Sequence, residues 1–445
     1  MSRNNMSFKR IVASIFSILT VAALIIVMTG DTASASVFGD EPSDFANAGW
    51  VAICSILVFI MTPGVALFYG GMLRKQSMTS IIAQTLLSMA VMGISWTAVG
   101  FSLAFSEGNA FVGGLDNIFF SGVSPVEITN NAFIPDMEFA IFQGMFALIT
   151  GAIVLGACAE RIKYTAITWF LAVWSIVVYA PMAHMVWGGG FLADLPFDLK
   201  TLDFAGGTVV HICAGATGLA LAAYLGKRSG RISTRSHNIP MAFLGCALLW
   251  FGWFGFNGGS GLAIDGVAIN AIMVSQISAV CAMATWAAVQ YLHVGRVGVL
   301  GLIAGAIEGL VAITPAAGSV TPVDAVIIGA VGAVVCYFGV IFMRKKSDLD
   351  DALDVMGIHG IGGIWGAIAT GLLSTEACGG LVYSGDWHLI AGQIVAVVFT
   401  LVFCFVASYI IIWVIGKLMK EVRISPEEEL IGQDLVEHGE PAYVM

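Results

Sequence analysis

Charge is what this chain lacks. Only 11% of its 445 residues are Asp, Glu, Lys or Arg, where a soluble domain carries about 25%. With 58% hydrophobic residues and a mean hydropathy of +0.92, there is too little polar side chain to cover a water-soluble globule of this size. A soluble enzyme and a disordered chain are excluded. So is a nucleic-acid partner, since 29 acidic residues outweigh 19 basic ones and leave no basic footprint. No CxxC pair links the eight cysteines; seven sit in apolar runs and Cys378 falls alone in a loop, so neither a disulfide framework nor a thiolate metal site is expected. No glycine cluster ends in GK[ST], which excludes a phosphate loop and an ATPase domain within the chain. Glycine, by contrast, is plentiful at 53 residues spread through apolar stretches, as expected where membrane helices pack closely. The composition is that of a polytopic membrane protein.

Residues 1–35 read as a targeting segment. Arg3, Lys9 and Arg10 precede an apolar run over 11–29, and Ala33-Ser34-Ala35 supplies a small-residue cleavage site; the alternative is an uncleaved first helix. Eleven further apolar segments are long enough to cross ~30 Å of hydrocarbon: 48–72, 78–105, 137–159, 163–186, 204–226, 239–257, 268–292, 296–315, 322–343, 355–374 and 389–416. With the first starting outside, the inner loops collect fifteen Lys and Arg, from Arg74 to Arg423, and the outer loops hold Lys200 alone. That asymmetry is a strong positive-inside signal. The fold class expected is an all-α membrane protein of eleven transmembrane helices, N-terminus outside and C-terminus inside, with a transport domain over 36–420 and a cytoplasmic tail over 421–445.

An internal echo divides the eleven as an inverted five-plus-five repeat plus one. Phe68-Tyr69-Gly70-Gly71 in the first span resembles Phe256-Asn257-Gly258-Gly259 in the sixth. The fifth span opens on Asp203 with His211 eight residues on, and the tenth on Asp354 with His359 five residues on. At 1.5 Å per residue the histidines lie ~12 Å and ~7.5 Å inside opposite faces, both approaching the midplane, where a central site is expected.

Ionisable groups inside a membrane cost several kcal/mol unless paired or wetted, so each is a candidate. Here they are Asp203, His211, Glu308, Asp354 and His359, with His184 near an outer end. His211 and His359 could each bond a backbone carbonyl and simply pack. They could instead share one hydrogen bond and keep a donor and an acceptor for a lumen; a zinc site lacks further ligands. Asp203 at a helix start fits an N-cap favoured by the helix dipole, and a capped carboxylate also keeps its charge. Phe146, Trp187 and Phe256 could be ordinary lipid-facing aromatics, and Ser260 a helix-end hydroxyl.

The stretch 203–215 (DFAGGTVVHICAG) resembles the signature of ammonium transporters of the Amt/Mep/Rh superfamily, Amt branch. Further stretches agree: 68–73 (FYGGML), 142–146 (FQGMF), 183–190 (AHMVWGGG), 253–260 (WFGFNGGS), 313–318 (ITPAAG) and 354–360 (DVMGIHG). The similarity runs from about Gly49 to Tyr443. It implies a homotrimer in the cell membrane, bathed in lipid, each subunit an eleven-helix bundle with its own pore, taking ammonium or ammonia as substrate with no cofactor, no metal and no enzymatic activity. By motif, His211 and His359 match the mid-pore histidine pair, Phe146 and Phe256 the stacked gate above it, Trp187 and Ser260 the outer cation-recruitment site, and Asp203 the aspartate supporting that site. The 432–443 stretch (GQDLVEHGEPAY) resembles an ordered tail that helps dock a cytoplasmic PII-type regulatory protein. A neutral gas channel, an ammonium sensor and an intramembrane enzyme are the competing readings; the first needs no cation trap, and the last lacks a nucleophile–base pair. Glu308, where this family is expected to hold a small or apolar residue, and the long segment between Trp187 and Asp203 depart from the pattern.

Overall fold

The computed structural model describes residues 45–129, 134–229, 236–346 and 349–443; the expected signal segment lies outside them. Among the described residues the chain is helical, without strands beyond two isolated bridges. Ten helices are long and apolar enough to span a bilayer: α1 (Phe45–Met72), α2 (Lys75–Phe105), α3 (Asp136–Cys158), α4 (Tyr164–Trp187), α5 (Gly207–Leu225), α6 (Ile239–Gly259), α7 (Gly266–Val294), α9 (Pro322–Lys345), α10 (Met356–Leu373) and α11 (His388–Met419). The segment expected at 296–315 is a shorter helix, α8 (Val299–Ile313). Fifteen residues rise only ~22 Å; Pro315, two residues past its end, has no N–H to donate to a further turn.

The packing pattern repeats five helices on. α1 lies against α3, and α6 against α8; α2 packs on α3 and α4, and α7 on α8 and α9; α3 meets α5, and α8 meets α10. The two halves join where α1 crosses α6 and α5 crosses α10. Both crossings depend on glycine. A Cβ at Gly245 would lie 2.2 Å from the Phe68 backbone nitrogen, and one at Gly215 would lie 2.4 Å from the Gly360 Cα, so backbones approach closely without side chains between them. Gly207 and Gly363 meet at the other end of the second crossing; α5 advances from 207 to 215 while α10 runs back from 363 to 360. The two helices are therefore antiparallel where they cross.

Each begins with a wide π turn, 207–212 in α5 and 356–360 in α10, and each turn carries a histidine. The aspartate equivalent to Asp203 is Asp351 rather than Asp354. Asp351 accepts from the amides of Val355 and Met356 at 2.9 and 2.7 Å and stands eight residues before His359, the same spacing as Asp203 to His211. Asp354 instead pairs with Arg344.

The tail is folded against the face formed by the 158–164 and 225–229 loops and the start of α2. A capping box between Ser425 and Glu428 starts α12 (Pro426–Ile431). Glu429, fully buried, accepts from Arg423 Nε at 2.7 Å and from the Ser229 amide at 2.6 Å. Asp434 accepts from the Ser80 amide at 2.8 Å, and Glu437 from the Tyr164 amide at 2.6 Å. Beneath lies Glu160, bridged to Arg74 and Arg228 at 2.8 Å each. Burial alone would raise its carboxyl, but the two guanidiniums outweigh burial and hold it below the ordinary glutamate range. Removing one member of a buried ion network costs about 3–5 kcal/mol. Glu160→Ala is thus expected to lower the melting temperature in detergent and to speed amide exchange over 426–438. The sign for acid follows: a depressed pKa adds stability above the unfolded value of about 4.3 and loses it as pH falls below that point. Unchanged tail exchange in Glu160→Ala would contradict this account.

Candidate functional site

From the end of α4 to the centre of the bundle, aromatic rings and imidazoles form a continuous column. Trp187 closes α4 and sets its indole edge-on to Phe146 of α3, centroids 6.0 Å apart at 89°. Phe146 stacks on Phe256 of α6 at 4.2 Å and 24°. Phe256 lies 6.2 Å from His211, and His211 stacks on His359 at 5.3 Å and 24°. Both phenyl rings are buried. The histidines open onto a narrow, largely hydrocarbon cavity walled by Val65, Ile149, Val210, Leu249 and Ile307, with Tyr69 and Trp253 also lining it; the Tyr69 hydroxyl and the Trp253 N–H are spent on the Ile153 carbonyl and the Thr314 hydroxyl.

The imidazoles touch through their Nδ1 atoms, 3.3 Å apart. One Nδ1 must donate and the other accept, so the two neutral rings are opposite tautomers: one Nε2 is left as an acceptor and the other as an N–H donor. His211 Nε2 has no hydrogen-bond partner among the described residues. A backbone carbonyl for each ring, the plain packing arrangement, is not what is found.

Asp203 sits below the Trp187 end. Its Oδ1 accepts from the amides of Gly206 and Gly207 at 2.8 and 2.6 Å, and its Oδ2 from those of Thr208 and Val209 at 2.8 and 3.2 Å and from the Thr208 hydroxyl. Both oxygens are consumed by the turn that starts α5. The Asp203 carbonyl in turn accepts the Trp187 indole N–H at 2.8 Å. Ser260, one turn beyond Phe256, donates to the Phe256 carbonyl at 2.7 Å, which leaves its oxygen lone pairs free to accept. Indole and hydroxyl flank the phenyl pair and are each fixed by a separate partner.

Trp253 was not singled out as a site residue by the sequence, although it shares a helical face with Phe256 and Ser260 at i, i+3 and i+7. Its ring stacks on His211 at 5.4 Å and 19°. Its N–H donates to the Thr314 hydroxyl at 2.9 Å, and Asn257 lies beside that hydroxyl and donates to Ser275 at 2.7 Å. The imidazole is thereby backed by a rigid plate. Glu308 lies off the column with no exposed surface, in space that Gly332 leaves open beside Trp365. A side chain so enclosed by its own chain has no path to a partner subunit. The segment between Trp187 and Asp203 is tied down on the same end of the bundle, Phe191 donating to Ala110 at 2.6 Å and Leu202 to Gln393 at 3.0 Å.

A bundle of apolar helices built on two crossed halves, with a ring-lined path to a central histidine pair, defines a polytopic membrane protein of the transport class. Residues 49–443 match the model of the Ammonium Transporter Family. The ammonium transporter of Bacillus subtilis strain 168 is 46% identical over 397 residues, covering 88% of this chain and 96% of its own. Amt1 of Archaeoglobus fulgidus is 41% identical, covering 89% and 99%. The crystal structure of Saccharomyces cerevisiae Mep2 superposes with a TM-score of 0.79 at 33% identity, over 86% of this chain and 91% of that one. The chain belongs to the Ammonium Transporter Family.

Proposed function

We propose that this protein is an ammonium transporter that recruits the cation at Trp187 and Ser260, gives its proton at the phenyl pair to the acceptor nitrogen of the histidine pair, and passes ammonia along the histidine-lined cavity toward the cytoplasm. The observation that carries this reading is the unbroken column from indole to imidazole pair. An aromatic face attracts a cation by ~0.5–2 kcal/mol, and the free lone pairs of Ser260 can accept one N–H. Potassium matches ammonium in charge and size but donates no hydrogen bond and has no proton to lose. Past Phe146 and Phe256 an intact cation meets hydrocarbon walls, where desolvation is prohibitive. The paired imidazoles, one donor and one acceptor, can hold ammonia and relay the proton. Because the Asp203 carboxylate is saturated by its own turn, its part is to fix the turn and the indole and to keep a negative charge near the mouth, not to take the proton.

The same reading places eleven spans in the cell membrane as an inverted five-plus-five repeat plus one. It is supported by the inner-loop excess of Lys and Arg, the antiparallel crossing of α5 and α10, and the packing that repeats five helices on; α8 spans with the help of the 314–319 turn. The N-terminus then lies outside and the tail inside, on a homotrimer whose cytoplasmic face is offered to a PII-type protein. The test is current from protein-containing liposomes on a solid-supported membrane. Ammonium pulses are expected to evoke saturable current, and potassium or sodium pulses none. A rise in internal pH without current would mean that neutral ammonia crosses alone, and the proton relay would be wrong.

A further inference from the structure

His184 lies three residues before Trp187, in the last turn of α4, with 2% of its surface exposed. Its Nδ1 is 3.0 Å from the Ala104 carbonyl oxygen and its Nε2 2.8 Å from that of Asn109. Each ring nitrogen thus faces a backbone carbonyl oxygen, one on either side of the ring. The ring therefore bridges the outer end of α2 and the loop after it to the turn that bears the indole. Backbone contacts follow the same seam: Gly188 and Gly190 both donate to the His184 carbonyl, at 2.9 and 3.1 Å. A Cβ at Gly188 would lie 2.1 Å from the Ala104 oxygen, and one at Gly190 would lie 2.8 Å from the Ala110 oxygen. The glycines after Trp187 let the loop close onto the helix, and His184 fastens it there.

We propose that His184 is a positioning residue for the outer cation site, its ring holding the Trp187 turn to the end of α2 and the loop after it; this rests on Trp187 forming that site. In liposomes, His184→Ala is expected to raise the half-saturating ammonium concentration about tenfold, equivalent to ~1.4 kcal/mol, with maximal current within about twofold. His184→Asn can restore the Ala104 bond and His184→Gln the Asn109 bond, so each should recover part of the affinity. An unchanged half-saturation in His184→Ala beside a raised one in Trp187→Ala would overturn the proposal, as would failure of both His184→Asn and His184→Gln to recover any affinity. If Trp187→Ala itself leaves half-saturation unchanged, the recruitment site is misplaced and this role falls with it.

Discussion

Asp203→Ala is expected to abolish transport and to destabilise the protein by several kcal/mol. The carboxylate receives four backbone amides and one hydroxyl from residues 206–209, and it is 9% exposed. A buried donor left without an acceptor costs about 1–3 kcal/mol. Alanine orphans four amides at once in a part of the bundle where water has little access, and it also frees the carbonyl segment that holds the Trp187 N–H. The start of α5 must then rearrange, and His211 sits in that π turn. Asp203→Asn separates shape from charge. Its amide oxygen can serve one pair of donors, but its NH2 group confronts the other pair, so stability should fall between wild type and Asp203→Ala while ammonium current drops more than about tenfold. Melting in detergent, together with current normalised to folded protein, checks both. A well-folded Asp203→Ala protein with wild-type current would show that the turn does not depend on the cap.

The mirrored cap illustrates what the sequence could and could not reveal. Helix positions were legible because the length of an apolar run is a direct physical requirement of the bilayer; every observed helix end among α1–α11 lies within three residues of its expected place. Only α8 falls short as a span, with Pro315 two residues past its end. The second aspartate was assigned to the wrong residue. Asp351 and Asp354 both precede His359, and the eight-residue spacing shared with Asp203 and His211 points to Asp351; the contacts agree, since Asp351 turns back onto the amides of 355 and 356 while Asp354 reaches Arg344. The ring column was legible only in pieces. Phe146, Trp187, Phe256 and the two histidines come from four different spans besides α4's own end, and nothing local in sequence says that their rings stack. The role of Trp253 behind His211 was hidden for the same reason.

His211→Ala should cut ammonium-evoked current at least about 100-fold, since a positioned group that moves a proton contributes about 10²–10⁴ in rate. The ring is held by Trp253 on one face and His359 on the other, and its Nδ1 is bonded to that of His359. Removing it deletes the free Nε2 and the partner that sets the His359 tautomer together. His359→Ala removes the other ring of the pair and the partner that sets the His211 tautomer. The variants also separate proton movement from ammonia movement: if the rings serve only to relay the proton, either single variant loses current but still raises internal pH when ammonium is added outside. Loss of both signals would mean that the imidazoles hold ammonia itself. The decisive comparison is the double variant. Residues that act as a unit are strongly non-additive, so a pair sharing one hydrogen bond should leave His211→Ala/His359→Ala no lower than the worse single variant. Multiplying defects would mean that the two rings act independently, and the shared Nδ1 contact would be packing without a part in the relay.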